Sequence, residues 1–182
     1  KGFYMINKFE VYDLECLSNL FTYTGYNIKE KKYYQYVICK WRNDYLDLMN
    51  HINNNKSLMQ IGFNNESYDY PLLHHLINHF ESYKDFPGQE LAQAAYKKSQ
   101  EIIDMEFSAI ADKNKYIPQL DLYRVWHFNS QARACSLKDL EIAMCLPNVE
   151  EMPLHHTHWC KKGDENLILS YNLNDVYSTY KF

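Results

Sequence analysis

Four carboxylates and one tyrosine are the residues of this chain whose types and spacing best suit chemistry. Asp13 and Glu15 stand two apart in "KFEVYDLECLSNLF", residues 8 to 21, and on a β-strand that spacing puts both side chains on one face. Adjacent carboxylates repel, so the pair is tolerated on a solvated face and useful where a cation lies between the side chains. Asp69, in "GFNNESYDYPLL", falls where a strand gives way to a helix. Asp175, in "YNLNDVYSTY", falls within a helical pattern, with Tyr171 one turn earlier. Positions i and i+4 share a helix face, so Tyr171 and Asp175 are expected to point to one place. Singly, each acid also reads as a strand-face charge, a helix cap or a solvated helical side chain. Gathered from separate elements, hard oxygen donors of this kind suit Mg²⁺ or Mn²⁺.

The apolar pattern names the elements that must position them. From Phe9 to about Cys39, the β-formers cluster as "FEVYDLE", "LFTYTGYNI" and "YYQYVICK", with "KEKK" as a charged turn, which predicts an antiparallel meander. "NDYLDLMNHI" predicts a short helix, "SLMQIGFN" a buried strand ending at Asn64, and "YDYPLLHHLINHF" a helix with Pro71 in its first turn. Residues 81 to 116 read as irregular, although "GQELAQAAYKKSQEIIDMEFSAI" is rich in helix formers. "YIPQLDLYRVW" reads as a strand and "ENLILSYNLNDVYSTYKF" as a closing helix. "SLKDLEIAM" reads as a helix with Ser136 as N-cap and no Glu to complete a capping box. The expectation is an α/β protein with a mixed five-stranded sheet, its first three strands antiparallel, flanked by helices.

Length and composition bound the rest. The 182 residues, 46% hydrophobic and 23% charged, suit one folded domain, residues 1–182. A start at Lys1 and a stop just after a helical pattern read as a piece of a longer protein. Five cysteines without a C-x-x-C spacing indicate neither a disulfide framework nor a zinc ribbon. No apolar run reaches the roughly 20 residues of a membrane span, so a soluble protein with no membrane partner is expected. A net charge of -4 argues against gripping duplex nucleic acid mainly through a basic surface, but it permits holding a strand end through bound metal.

The combined pattern resembles the DEDD superfamily of 3'-5' exonucleases, specifically its tyrosine (DEDDy) branch. Asp13 and Glu15 match its D-x-E motif. Asn65 or Asn64, with Tyr68 and Asp69, matches N-x(2 or 3)-[FY]-D, and Tyr171 with Asp175 matches Y-x(3)-D. The histidine branch would place His where this chain has Ser170. "LDLYRVW" followed by "SLKDLEIAM" is similar to the strand and helix before the third motif in exonucleases related to the proofreading domain of family B and phage DNA polymerases.

The resemblance implies a ribonuclease H-like fold and phosphodiester hydrolysis with two divalent ions, Mg²⁺ or Mn²⁺. Asp13 would bridge both ions, Glu15 and Asp175 would hold the ion carrying the attacking water, Asp69 would help to hold the other, and Tyr171 would orient the water. Asn64 or Asn65 would contact the terminal nucleotide, bordered by Leu14, Cys16 and Tyr68. The implied partner is a single-stranded DNA 3' end, with RNA as the alternative substrate, and a polymerase domain in cis or trans. The implied location is cytoplasmic, including that of a phage-infected bacterium. A non-catalytic ribonuclease H-like binding module is the remaining alternative.

Other chemistry-bearing residues read more plainly. His155, His156, His158 and Cys160 in "HHTHWC" lack the second ligand pair of a structural zinc site and read as a surface loop. Asp121 reads either as support for the acid site or as a strand-end hydrogen-bonding group. Lys138, Lys161 and Lys162 read as phosphate contacts or solvated charges.

Overall fold

A computed structural model describes residues 8–105, 108–128 and 135–182. Alternation along the first strand, β1 (Phe9–Leu17), sets the architecture. Tyr12, Leu14 and Cys16 face one side of the sheet, while Asp13, Glu15 and Leu17 face the other.

β1 pairs antiparallel with β2 (Leu20–Asn27), β2 with β3 (Lys32–Cys39), and β3 with the two-residue β4 (Arg42–Asn43). On its other flank β1 is parallel to β5 (Met59–Gly62), which is parallel to β6 (Gln119–Asp121). The order is β4-β3-β2-β1-β5-β6, a mixed six-stranded sheet.

Helices cover both faces. α1 (Tyr45–Asn55), α2 (Asp69–Asn78) and α4 (Gly88–Ile103) close the Tyr12 side over a core that includes Phe21, Leu48, Leu72, Leu91 and Ile102. α7 (Asp164–Lys181) crosses the other side, where Leu17, Leu20, Val37, Cys39, Cys160 and Ile168 are buried together. Short helices α3 (Phe80–Tyr83), α5 (Leu122–Trp126) and α6 (Leu137–Ala143) fill the connections. No helix among the described residues is long and apolar enough to cross a membrane.

The α/β architecture and antiparallel first three strands agree with the expectation, and several details differ. The sheet has six strands, not five, because the chain after Cys39 turns back and pairs Arg42 and Asn43 with β3. Asp44 secures that turn, accepting from Val37 N–H at 2.9 Å and from Arg42 Nε at 2.6 Å. The fourth expected strand ends at Gly62, not Asn64, because Asn64 takes a left-handed φ of 62° that stops the ladder.

The segment read as irregular contains α4, a 16-residue helix. Its N-cap is Pro87, with no side-chain cap to announce it, and it buries the narrow face Leu91, Ala92, Ala95, Ser99 and Ile102. The expected strand over residues 116–126 is only β6; Asp121 ends it and caps α5, its carboxylate accepting from Tyr123 N–H at 3.0 Å. Ser136 does cap α6, and the capping box missing its Glu is closed by Asp139.

Gly88 explains how closely α4 approaches the sheet. A Cβ there would lie 2.3 Å from the Cys39 carbonyl oxygen, so the first turn of α4 could not seat against β3. Gly88→Ala is therefore expected to destabilise the fold by about 1–3 kcal/mol, read as a lowered urea midpoint at unchanged slope.

Candidate active site

β1 and α7 bring the principal acids together. Asp13 and Glu15 project from β1 toward α7. One carboxylate oxygen from each of Asp13, Glu15 and Asp175 lies within 4.8 Å of the other two. Asp69 enters from the first turn of α2, and its Oδ1 accepts from the backbone N–H of Leu14 at 3.3 Å. That bond ties the fourth acid to the strand carrying the first two. Tyr171 lies one turn before Asp175, close enough that each group shifts the titration of the other.

The cluster is held by groups the sequence did not single out for it. Asn172 Nδ2 donates to Asp13 Oδ2 at 2.5 Å, which orients the carboxylate from the helix side. Lys138 of α6 donates to Asp175 Oδ1 at 2.5 Å, and its ammonium lies 4.8 Å from the centre of the Tyr171 ring. It also stands 3.4 Å from Glu141, whose side chain is buried. Asp139 closing the α6 cap fixes the helix that delivers Lys138. The sequence offered no signal for Asn172, and for Lys138 only its reading as a phosphate contact or a solvated charge.

A second set of bonds shapes the loop between β5 and α2. Asp121 accepts from the backbone N–H of Asn64 at 2.8 Å and of Glu66 at 3.3 Å, as well as from Tyr123. Its role is the strand-end hydrogen-bonding one, and it welds the loop to the start of α5. Asn65 turns inward. It is fully buried, its Nδ2 donates to Gln119 Oε1 at 2.9 Å and its backbone carbonyl accepts from Tyr70 N–H at 2.8 Å. Gly62 makes room for it, since a Cβ there would meet Asn65 Cβ at 2.6 Å.

The side chains expected to border a nucleotide therefore divide. Leu14 and Cys16 are buried on the sheet face opposite Asp13 and Glu15, and Asn65 is enclosed. Asn64 is exposed, and with the half-buried Tyr68 it lines a pocket of about 390 Å³ shared with Ser67, Ile102, Met105 and Ser108. Tyr68 is fixed by a 2.7 Å hydrogen bond with Ser99 of α4.

The histidine-rich loop is anchored elsewhere. Cys160 N–H donates to Asn19 Oδ1 at 2.7 Å, and His158 pairs with Asp164 at 3.3 Å.

Burial, and after it the crowding of like charges, controls the protonation of the site. Withdrawal from water raises Asp13 well above the usual carboxylate range, and Asp69, Glu15 and Asp175 push it further, against the Asn172 hydrogen bond. Burial and then Asp175 and Asp69 raise Glu15, with Lys138 opposing. Asp69 is pushed up to about 7, first by burial, although two backbone N–H groups pull it down. Burial also raises Asp175, and the Lys138 hydrogen bond is the main restraint on that rise.

Neither models of known protein families nor curated protein sequences match the chain. The class it defines rests on its own geometry: an α/β protein whose mixed sheet presents an all-oxygen acid cluster beneath its last helix.

Two outcomes follow from this geometry. A carboxyl whose folded pKa lies above its unfolded value binds more protons when folded, so stability falls as pH rises from about 4 through the folded value near 7. In EDTA the midpoint of thermal unfolding should drop between pH 5 and 7.5, and Asp13→Asn should flatten that drop. Asn172→Leu removes the donor to Asp13 and should weaken Mn²⁺ binding about 10- to 100-fold, measured by titration calorimetry.

Proposed function

We propose that the chain is a metal-dependent 3'-5' exonuclease acting on single-stranded DNA ends, of the tyrosine type of the DEDD superfamily. The observation that carries this reading is the convergence of Asp13, Glu15 and Asp175 within 4.8 Å, with Asp69 and Tyr171 beside them. The strand order supports the ribonuclease H-like part: three antiparallel strands, then two parallel to the first, with β4 added at one edge.

The donor set fits hard divalent cations. It is all carboxylate, partly enclosed, and destabilised by its own repulsion, which an ion would relieve. Asp13, Glu15 and Asp175 would hold one ion, and Asp69 with Asp13 a second. Bound Mg²⁺ or Mn²⁺ would supply a more acidic water and stabilise charge on the phosphodiester in the transition state.

The chain's own groups then divide the remaining work. Burial and the surrounding acids push the Tyr171 hydroxyl far above its usual range, so it keeps its proton and orients a water by hydrogen bonding without acting as a base. Lys138, carried upward by Asp175 and Glu141 against the effect of burial, stays cationic and is placed to meet a phosphate oxygen beside Asp175. The pocket lined by Asn64 and Tyr68 would take the terminal nucleotide by shape and ring contact, which tolerates any base. Removal of a mispaired end for a polymerase domain, in the same chain or in a partner, is the use such a site would serve.

The test is hydrolysis of a 5'-labelled single-stranded DNA, beside an RNA of the same sequence, in Mn²⁺, Mg²⁺ and EDTA. A metal-dependent ladder shortening from the 3' end of DNA is expected, reduced at least about 100-fold by Asp13→Ala. Preference for the RNA would move the substrate class, and no cleavage of either strand in any metal would sink the reading.

A further inference from the structure

The amino end of the β1 strand carries a surface that the acid site does not use. Several chain segments meet there. Glu10 pairs with Asn27 and Asn27 with Lys32, Ile28 N–H donates to the Phe9 carbonyl, and Met59 N–H donates to the Lys8 carbonyl. The end of α1 arrives through the bond from Leu58 N–H to Asn55, and the end of α7 through Tyr180, whose ring lies 4.9 Å from that of Tyr26. Lys8, Lys29, Lys31, Lys32, Lys56 and Lys181 are all exposed on these segments. Glu30 is the one acidic side chain in residues 27–33, 53–59 and 177–182, and it accepts from Tyr34.

Two observations distinguish this end from ordinary solvated charge. Among the described residues none of those six lysines enters an ion pair, which is equally true of Lys40, Lys97, Lys113, Lys161 and Lys162, so it is their gathering at one end of the sheet that sets them apart. Beside the lysines lies a cluster of four tyrosines from three elements. Tyr26 and Tyr33 have ring centres 4.5 Å apart, Tyr180 meets Tyr26 edge-on, and the Lys181 ammonium lies 5.3 Å from the Tyr177 ring and 5.7 Å from that of Tyr180. Tyr33, Tyr177 and Tyr180 keep 37 to 40% of their surface open. Flat rings left open beside ammonium groups without a carboxylate partner, on a chain of net charge -4, complement a ligand of alternating planar groups and phosphates.

We propose that this tyrosine and lysine surface binds the body of a single-stranded nucleic acid, its nearest ring, Tyr26, lying about 7 Å from Asp13 along the strand direction at roughly 3.3 Å per residue. The rings take bases by stacking and the lysines take phosphates. Tyr26 is offset from Asp13 by one strand and two residues on the same face of the sheet, the face that α7 crosses. This deepens the exonuclease reading and rests on it for the identity of the strand. The surface would retain the strand while the acid cluster trims its end.

The test measures binding apart from cleavage. Fluorescence anisotropy of a labelled oligo-dT of about 20 nucleotides is followed in EDTA across a salt series, with oligo-U, duplex and heparin as further arms. The triple variant Lys29→Gln, Lys31→Gln, Lys32→Gln is expected to bind at least tenfold more weakly, its salt slope shallower by about 0.7 for each phosphate no longer neutralised. Tyr33→Leu with Tyr180→Leu is expected to weaken binding at an unchanged slope. Circular dichroism matching the parent, and unchanged cleavage of a thymidine 5'-phosphate nitrophenyl ester, would show that fold and acid site are intact.

Tight binding of either oligo-dT or oligo-U supports the surface, and their ratio tells which sugar is preferred. Affinities within twofold of the parent in both variants, or heparin or duplex competing as well as oligo-dT, would overturn it. A parent that binds here and cuts nothing would remove the exonuclease reading alone. A parent that cuts, with variants that bind unchanged, would remove this inference alone.

Discussion

Everything at the acid site depends on holding three carboxylates within 4.8 Å of one another, with Asp69 beside them, against their repulsion. Such an arrangement survives only if the backbone is fixed more strongly than the charges push apart. Each acid is accordingly tied to a rigid element. Asp13 and Glu15 stand on a strand paired on both sides, and Asp69 sits in a helix's first turn with a backbone donor from β1. Asp175 lies on an 18-residue helix pressed to the sheet by Ile168 and Val176. Asn172 and Lys138 donate from their side chains to soften the repulsion, and both act through carboxylates of the same trio.

The cost of this crowding and its use are the same quantity seen from two sides. Raised carboxyl pKa values mean that the folded chain would rather take up protons at the site. A cation that displaces those protons relieves the part of the rise that comes from neighbouring acids, which adds to the effect of burial at Asp13 and Glu15. A loose acidic patch on a solvated surface would show neither the raised values nor that relief. This separates the trio from the exposed Glu101, which its hydrogen bond to Lys98 on the same helix holds below the usual carboxylate range.

Most of the site is legible in the sequence because its residues are set by local periods. Two residues apart on a strand and four apart on a helix translate directly into shared faces, and that sufficed for Asp13 with Glu15 and Tyr171 with Asp175. The parts that could not be read depend on contacts between distant segments. Lys138 reaches Asp175 from 37 residues away, and Asn65 faces inward because Gln119, 54 residues on, waits for it. Helix α4 was obscured for another reason. Its apolar face, Leu91, Ala92, Ala95 and Ile102, recurs at helical spacing, but it begins at Pro87 without a side-chain cap to mark its start. Strand β6 was overextended because "LDLYRVW" has β-forming residues, while Asp121 prefers to cap a helix.

Beneath the sheet, opposite the acids, the polar side chains form a line of a different kind. Tyr12 and Asn65 donate to Gln119, Gln119 donates to Gln60, Gln60 to the Tyr23 hydroxyl, and Tyr23 to the Glu10 carboxylate, which also faces His51. Every donor points the same way, because the line ends on a group that accepts. The two glutamine amides therefore have one permitted orientation each, and flipping either would set oxygen against oxygen on one side and leave a hydrogen unmatched on the other. The loop that carries Asn65 and leads into α2 at Asp69 inherits that one-way sense. Its position is registered from Glu10, across four strands, by a sequence of amides that can be assembled in only one direction.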